Sequence, residues 1–369
     1  MLRRSRPRSV AGLVIEPGFV AAASVAVNGH VALERAAVRS LDADVVKDGE
    51  VVDAASLATT LRDMWKESEG LPKRVRIGVA NARIVVRVLD LPVVEDEQSL
   101  AAAVRFHAEQ ELPIPLDQAV LDFQKLGIVE GPEGPRLRCL VVVARRELVE
   151  GLLAAIRAAG LKAEGVDLSA FGMVRALAEG DEPKLYLTIG GLTNMAVSVE
   201  GNCIFTRVTG TSLEAIAETL ASRCGLPLDE ARGWLREAGT KGRAISASPA
   251  VAVGAAAGRG LDEEDAAEGS PLLVARGALL EGIRQIAGEI RSSLDFFHAQ
   301  SLGTPVVASG VLTGPAAAIP GFAEALSAEL GLEVVPSAIE VADGASIGTI
   351  DPYEVTVAAG LAIEEAPAR

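Results

Sequence analysis

The sequence predicts an α/β protein with two similar lobes and a small subdomain inserted into the first lobe. Its 369 residues, of which 49% are hydrophobic, are enough to form more than one hydrophobic core. An apolar strand, a tight turn and a second apolar strand occur twice, around Gly18 and around Gly190 and Gly191. Helical patterns of apolar residues follow both hairpins, so one mixed sheet with packed helices is expected in each lobe.

The first lobe is predicted to begin with three consecutive strands and to continue with a helix over residues 54–67. In this helix Leu57, Leu61 and Trp65 recur every four residues, which places one apolar stripe on a single face. We expect that face to pack on the preceding sheet. The predicted strands are Val10–Ile15, Val20–Val27, His30–Val38 and, after the helix, Arg74–Val79.

The inserted subdomain is predicted from a strand, helix, strand, strand, helix order. The first strand covers Arg83–Asp90 and the first helix Asp96–Glu111, which Pro113 and Pro115 end because proline cannot continue a helix. Two strands at 120–128 and 136–144 and a helix at 146–159 complete the unit.

The second lobe repeats the hairpin arrangement and then becomes helical. Two helices are predicted over residues 212–224 and 228–238, separated by Gly225 and Pro227, and a long helix over residues 271–299 has an apolar spacing of three and four. A strand at Val306–Ser309 is expected to end in a turn at Gly310–Gly314, before the helices at 321–330 and 355–364. The resulting units are the first lobe at 9–82 and 160–182, the inserted subdomain at 83–159, the second lobe at 183–209 and 270–364, and its helical subdomain at 210–269.

Composition and charge exclude several classes of function. The formal net charge of −15 repels nucleic-acid phosphates, and no basic patch with interleaved aromatic residues is present. Charged residues interrupt every apolar run before the roughly 18 residues of a membrane span, so no direct span is expected. Cys139, Cys203 and Cys224 lack the spacing of a zinc site or a disulfide framework, which predicts no metal and a reducing cytoplasm. The four arginines within residues 3–8 predict a solvated terminus or an electrostatic contact with anionic lipid.

Three segments of the sequence are specific enough to indicate a family. The most specific is AAAVRFHAEQELPIP at 101–115, followed by LDFQKLG at 121–127. The others are GTSLEAIA at 210–217 with GLPLDEA at 225–231, and EIRSSLDFF at 289–297. Together they resemble the PilM family of actin-like type IV pilus assembly proteins and, more distantly, the cell-division protein FtsA. The resemblance implies an actin-like fold, which is a duplicated ribonuclease H-like fold, with the inserted subdomain that PilM and FtsA share.

The resemblance also implies two phosphate-binding turns and an adenosine-side turn between the lobes. The nucleotide-cleft residues that correspond are Gly18, Gly190, Gly191, Thr193, Asn194, Gly310 and Thr313. The first turn departs from the family because the acid, the first glycine and the lysine are missing, and Glu16 adds a negative charge where the polyphosphate would lie. Thr188 replaces the acid of the second turn, and Val311 obstructs the approach of a purine to the third. No cofactor is therefore expected, and the alternative is ATP with Mg²⁺. These glycines also fit ordinary turns that bind no ligand.

The leading hypothesis is that the chain is a cytoplasmic scaffold of the type IV pilus or a related secretion system, and that a partner holds it at the inner membrane. The resemblance implies that the cytoplasmic tail of a PilN-like bitopic membrane protein lies between the first lobe and the inserted subdomain. An extended tail gains main-chain hydrogen bonds by adding to a strand edge. The residues expected to contact it are Ile84, Val86, Val88, Val104 and Phe106.

The alternatives are an actin-like ATP-binding protein or weak ATPase with atypical phosphate turns, and a sugar or acid kinase of the same fold. In the ATPase, Glu16, Thr188 and Thr193 would replace the missing carboxylates, although hydroxyl groups are poor Mg²⁺ anchors. An FtsA-like filament is disfavoured because the C-terminal LAIEEAPAR has no basic amphipathic face. The chain could also bind a second copy of itself.

Overall fold

The computed structural model describes residues 9–27, 30–94, 96–111, 115–132, 134–241, 271–300 and 306–363. Several parts of the sequence prediction lie outside these residues. They include the basic arm at 3–8, Pro113, residues 242–269 of the predicted helical subdomain and residue 270 of the predicted second lobe. The last residue assigned to the second lobe, Glu364, also lies outside them.

Sixteen strands are present within the described residues. They are β1 (Ala11–Glu16), β2 (Phe19–Val27), β3 (Val31–Ser40), β4 (Val46–Lys47), β5 (Glu50–Val51), β6 (Arg74–Val79), β7 (Val85–Pro92), β8 (Ala119–Gly131), β9 (Gly134–Arg145), β10 (Lys162–Leu168), β11 (Lys184–Ile189), β12 (Thr193–Val199), β13 (Asn202–Thr209), β14 (Ser309–Thr313), β15 (Glu333–Pro336) and β16 (Val341–Ser346).

Nine α-helices and two short 3-10 helices occur in the same described residues. The α-helices are α1 (Ala54–Glu67), α2 (Glu97–Glu111), α3 (Arg146–Ala158), α4 (Ser169–Leu177), α5 (Leu213–Cys224), α6 (Leu228–Ala238), α7 (Pro271–Gln300), α8 (Phe322–Leu330) and α9 (Pro352–Ala362). The 3-10 helices are Leu116–Gln118 and Pro315–Ala318. No helix described here is both long and apolar enough to cross a lipid bilayer.

A six-stranded sheet in the order β10-β6-β1-β2-β3-β16 forms the centre of the first lobe. Strand β1 pairs antiparallel with β2 and parallel with β6, which puts the β1–β2 turn at one edge of the lobe's core. Helices α1 and α3 pack together on this sheet, and α4 and α9 form a second packed pair. Helix α9 passes so close to β1 that a Cβ atom on Gly12 would lie 1.7 Å from the Ala358 carbonyl oxygen. Only glycine fits there.

A five-stranded sheet in the order β13-β12-β11-β14-β15 forms the second lobe. Its antiparallel β11–β12 hairpin matches the β1–β2 hairpin of the first lobe, and β11 likewise pairs parallel with a distant strand, β14. The long helix α7 contacts α5, α6 and α8. Its apolar residues Leu279, Ile283, Ile286 and Ile290 are completely or almost completely buried, as the three-four spacing predicts.

The inserted sheet has three antiparallel strands in the order β7-β9-β8. Helix α2 covers one face, where Leu89, Leu91, Leu100 and Val104 belong to a separate hydrophobic core. The other face is directed at the first lobe, because Val86 and Val142 pack against that lobe's core. Strands β7 and β8 are both edges, so their outer main-chain groups are not paired within a sheet.

The structure corrects one boundary that matters for the site. The predicted turn at residues 310–314 is largely strand, because β14 covers Ser309–Thr313 and pairs with β11 and β15. The chain turns only at Gly314, whose φ of +82° favours glycine, immediately before Pro315. Val311 and Leu312 are buried in the sheet, which explains why the strand continues past Gly310.

Candidate functional site

The β1–β2 turn reaches the second lobe at the point where the family's first phosphate turn is expected. Gly18 in this turn has a φ of +85°, and a Cβ atom on it would lie 2.7 Å from the Glu214 carboxyl group. Both its backbone conformation and its surroundings therefore require glycine. The carboxyl group that approaches it comes from the first turn of α5, at the edge of the second lobe.

Glu16 occupies the main-chain donors of the second turn. Its side chain is 3% exposed, and its Oε2 accepts a hydrogen bond from the Leu192 amide at an N–O distance of 3.2 Å. The Gly191 amide donates to the same carboxyl group. Burial raises the pKa of Glu16 to about 7, against the lowering effect of these two amides. The carboxyl group thus takes the position that an anion would occupy in a cradle of backbone amides.

The turns of the two lobes are also in direct main-chain contact. A Cβ atom on Gly191 would lie 2.1 Å from the Pro17 carbonyl oxygen, so only glycine permits this approach. Gly190 is enclosed as well, because a Cβ atom there would lie 3.0 Å from Pro315 and 3.1 Å from Phe19. The two glycines of the second turn are therefore explained by packing between the lobes.

A cavity of about 290 Å³ lies beside these turns. Gly18, Gly190 and Gly191 line it together with Glu214 and Arg232. Arg232 forms a two-pronged ion pair with Glu214, in which one nitrogen–oxygen distance is 3.0 Å, and it also bonds Asp229 at 2.6 Å. Its positive charge is thus neutralised by two carboxylates.

The remaining residues predicted for the nucleotide cleft lie elsewhere. Thr193 is buried and donates to the Thr211 carbonyl oxygen at 2.6 Å. Asn194, its neighbour on β12, lines a different pocket on the other side of the hairpin. Gly310 lies inside β14, and Thr313 is fully buried and donates to the Tyr353 carbonyl oxygen at 3.3 Å. These four residues do not line the interlobe cavity, because strand alternation and the longer β14 direct them away from it, and their role in a nucleotide cleft stays a prediction.

A groove of about 280 Å³ separates the inserted sheet from the first lobe. It is lined mainly by apolar residues of β8, β9, β10 and α4, and its only charged lining residues are Asp122 and Asp167. The lining residues are Val79, Val120, Asp122, Phe123, Gln124, Leu140, Val142, Ala144, Val149, Val166, Asp167, Leu168 and Phe171. Asp167 is paired with Arg175, whereas Asp122 is exposed and accepts a bond from the Phe123 amide at 2.9 Å.

The five residues predicted to contact a partner are divided among three environments. Ile84 and Val86 line a pocket of about 210 Å³ between β7 and β13. Val88 and Phe106 are 37% and 58% exposed but line none of the pockets described above. Val104 is fully buried in the core beneath α2, so the prediction that it contacts a partner was wrong. Adjacent helical positions point in different directions, and the sequence did not show which one faced the sheet.

Two residues of the interlobe cavity were missed by the sequence analysis. Glu214 and Arg232 are 18 residues apart, on α5 and α6, and no spacing rule relates them. Glu214 does fall within the GTSLEAIA segment at 210–217, which was the only signal available. Within the described part of the chain, no group of three or more His, Cys, Asp or Glu residues is arranged to hold a metal ion.

Comparison with known proteins now gives the family. Residues 19–239, well over half of the chain, match the family described as "Type IV pilus assembly protein PilM". The chain belongs to the PilM family. The resemblance found in its sequence is therefore confirmed.

Solved structures confirm the actin-like, two-lobed α/β fold of this PilM-family chain. A PilM–PilN type IV pilus biogenesis complex is similar with a TM-score of 0.73 and 24% identity, over 96% of this chain and 98% of that one. The ethanolamine utilization protein EutJ from Carboxydothermus hydrogenoformans is similar with a TM-score of 0.53 and 14% identity, over 98% and 92% of the two chains. At these low sequence identities, the similarity shows a shared fold and no more.

Proposed function

We propose that this PilM-family chain is a scaffold for type IV pilus assembly that acts by binding a partner protein and not by hydrolysing ATP. The observation that carries the proposal is the position of Glu16, whose carboxyl group accepts hydrogen bonds from the Gly191 and Leu192 amides. In an actin-like ATPase, amides in such a turn would bind phosphate. Here the protein supplies its own carboxyl group to them.

The residues of the interlobe cavity do not fit a magnesium nucleotide. A polyphosphate would have to displace Glu16 and separate Pro17 from Gly191, while the carboxylates of Glu16 and Glu214 would repel it. The cavity of about 290 Å³ lies at the lower limit of the roughly 300–1,000 Å³ that ligand pockets occupy. Thr188 is 4% exposed and offers a hydroxyl group where a carboxylate would be needed for Mg²⁺.

Calorimetric titration with Mg-ATP tests this part of the proposal. We expect no saturable heat at millimolar nucleotide, because binding would require the two turns to part. Binding with a micromolar Kd would refute the proposal and favour the alternative, an actin-like ATP-binding protein. The Glu16→Ser variant, which removes the competing carboxyl group, then shows whether Glu16 is the group that excludes phosphate.

The partner we propose is the cytoplasmic tail of a PilN-like membrane protein, bound in the groove between the inserted sheet and the first lobe. The fold is shared with a protein solved as a PilM–PilN complex. Cytoplasmic segments next to a membrane span are enriched in lysine and arginine. The groove is complementary to such a tail because, among the described residues, its lining is mainly apolar, includes the exposed Asp122 and has no lysine or arginine. This partner would hold the chain at the inner membrane.

Binding of a labelled tail peptide from the PilN-like protein of the same organism tests the groove. Val120 lines the groove on β8 and is 38% exposed, so Val120→Lys places a bulky positive charge in it without disturbing a core. We expect the affinity for the peptide to fall by at least about tenfold, which corresponds to roughly 1.4 kcal/mol. Ile128→Lys is the matched control, because Ile128 is on the same strand, 65% exposed, and outside the groove. Equal affinity for both variants would contradict the placement.

A further inference from the structure

A second pocket, of about 210 Å³, lies where the inserted subdomain, the first lobe and the second lobe meet. One wall is the start of β7 with the loop that precedes it, and the opposite wall is β13 with the end of α7. We propose that this pocket binds carboxylate side chains of an extended acidic peptide supplied by a partner protein. The tail-binding groove has the opposite charge, so the two sites would select different partners.

The charge of the pocket is the first argument. Among the residues that the structure describes, Arg87 and Arg207 are the only charged ones that line the pocket, although the whole chain has a net charge of −15. Among the described residues, the Arg207 side chain makes no ion pair or hydrogen bond, and the Arg87 side chain donates only to the carbonyl oxygen of its neighbour Val86 at 3.0 Å; both side chains are exposed. Arg232 in the interlobe cavity, by contrast, is paired with two carboxylates. Two arginines without carboxylate partners favour an anionic ligand.

A buried amide supplies a third hydrogen-bond donor. Asn194 lines the pocket and is 1% exposed. Its Oδ1 accepts from the Thr206 hydroxyl group at 3.5 Å, which leaves the Nδ2 group as the free donor. Among the described residues no acceptor bonds this Nδ2 group. An acceptor from a ligand in the pocket could therefore accept a hydrogen bond from this Nδ2 group.

The strands that flank the pocket favour an extended peptide over a small anion. Both β7 and β13 are edge strands of their sheets, and residues of both strands line the pocket. The main chain of an added peptide can hydrogen-bond to such an edge while alternate side chains enter the pocket. Besides the arginines, the lining includes polar residues such as Asn81 and Thr206 and apolar ones such as Phe205 and the 42% exposed Phe296. A peptide that alternates carboxylates with other side chains matches this surface.

Fluorescence anisotropy with a labelled octapeptide of alternating threonine and glutamate tests the proposal. We expect saturable binding to the full chain, weakened about tenfold by Arg87→Gln or by Arg207→Gln, because each removes a charge-assisted contact. Arg105→Gln is the matched control, since it removes the same charge from an exposed position on α2 outside the pocket. An octapeptide of alternating threonine and lysine should not displace the acidic octapeptide.

The results of these experiments distinguish this proposal from the proposal that the groove binds the tail of a PilN-like protein. Val120→Lys should leave binding of the acidic octapeptide unchanged, because Val120 does not line this pocket. No saturable binding to the wild-type chain, or equal binding to all three arginine variants, would overturn the proposal. Full displacement of the octapeptide by millimolar inorganic phosphate would also overturn it, because that result indicates a site for small anions.

Discussion

Replacing Glu16 by glutamine tests the contact between the two lobes. The pKa of Glu16 is about 7 in the folded protein and 4.5 in the unfolded reference. Between pH 4.5 and about pH 7, the Glu16 carboxyl group is therefore protonated in the folded state and ionised in the unfolded state. The pH-dependent contribution of Glu16 to the free energy of unfolding is therefore fully present below about pH 4.5 and is lost as the pH rises to about 7. A pKa difference of this size corresponds to about 3 kcal/mol of unfolding free energy.

Glutamine has no proton to lose, and its side-chain oxygen can still accept from the Gly191 and Leu192 amides. We therefore expect the Glu16→Gln variant to gain stability relative to the wild type as the pH rises, by about 3 kcal/mol in total, and no further above about pH 7. Urea denaturation at half-unit steps from pH 4.5 to 8, followed by tryptophan fluorescence, measures this difference. Glu130→Gln is the matched control for losing a carboxyl group at an exposed position. A difference for Glu16→Gln that does not change with pH would refute the reasoning.

Two further predictions concern the same contact between the lobes. Gly191→Ala places a methyl group 2.1 Å from the Pro17 oxygen and should cost more than about 2 kcal/mol of unfolding free energy, whereas Gly233→Ala, on α6 with open space around it, should stabilise by about 0.5–1 kcal/mol. Arg232→Met leaves the buried Glu214 carboxylate unpaired and should cost about 3–5 kcal/mol, most of which the double variant Glu214→Leu with Arg232→Met should restore. Urea denaturation measures both, and equal stabilities within either pair of variants would contradict the contacts described.

Local patterns were sufficient for most individual elements. The boundaries of α1 and β6 were predicted to the residue, because an apolar stripe of period four and an alternating strand identify them without reference to the rest of the chain. Strand β16 was missed because it is not apolar. It is held as a strand by parallel pairing with β3, from the opposite end of the sequence. The small β4–β5 hairpin was missed because each strand has only two residues.

The candidate site required the tertiary structure. The sequence indicated that Glu16 would oppose a polyphosphate, but it could not show that amides 175 and 176 residues later would bond the carboxyl group. Asn194 and Thr193 are neighbours in the sequence, yet strand alternation directs them to different sides of β12. Similarly, Val104 lies in a hydrophobic core, whereas Phe106 lies on the surface.

By itself, the sequence predicted the two-lobed α/β architecture and the inserted subdomain's strands and helices, and its resemblance to the PilM family implied that both turns depart from a phosphate-binding pattern. These properties depend on residue type and on spacing within a few turns or strands. Only the tertiary structure decided which groups meet between the lobes, where the apolar, acidic groove and the arginine pocket lie, and which predicted residues are accessible. The physical reason is that burial and hydrogen-bond pairing depend on contacts between segments far apart in the chain, and no local pattern records them.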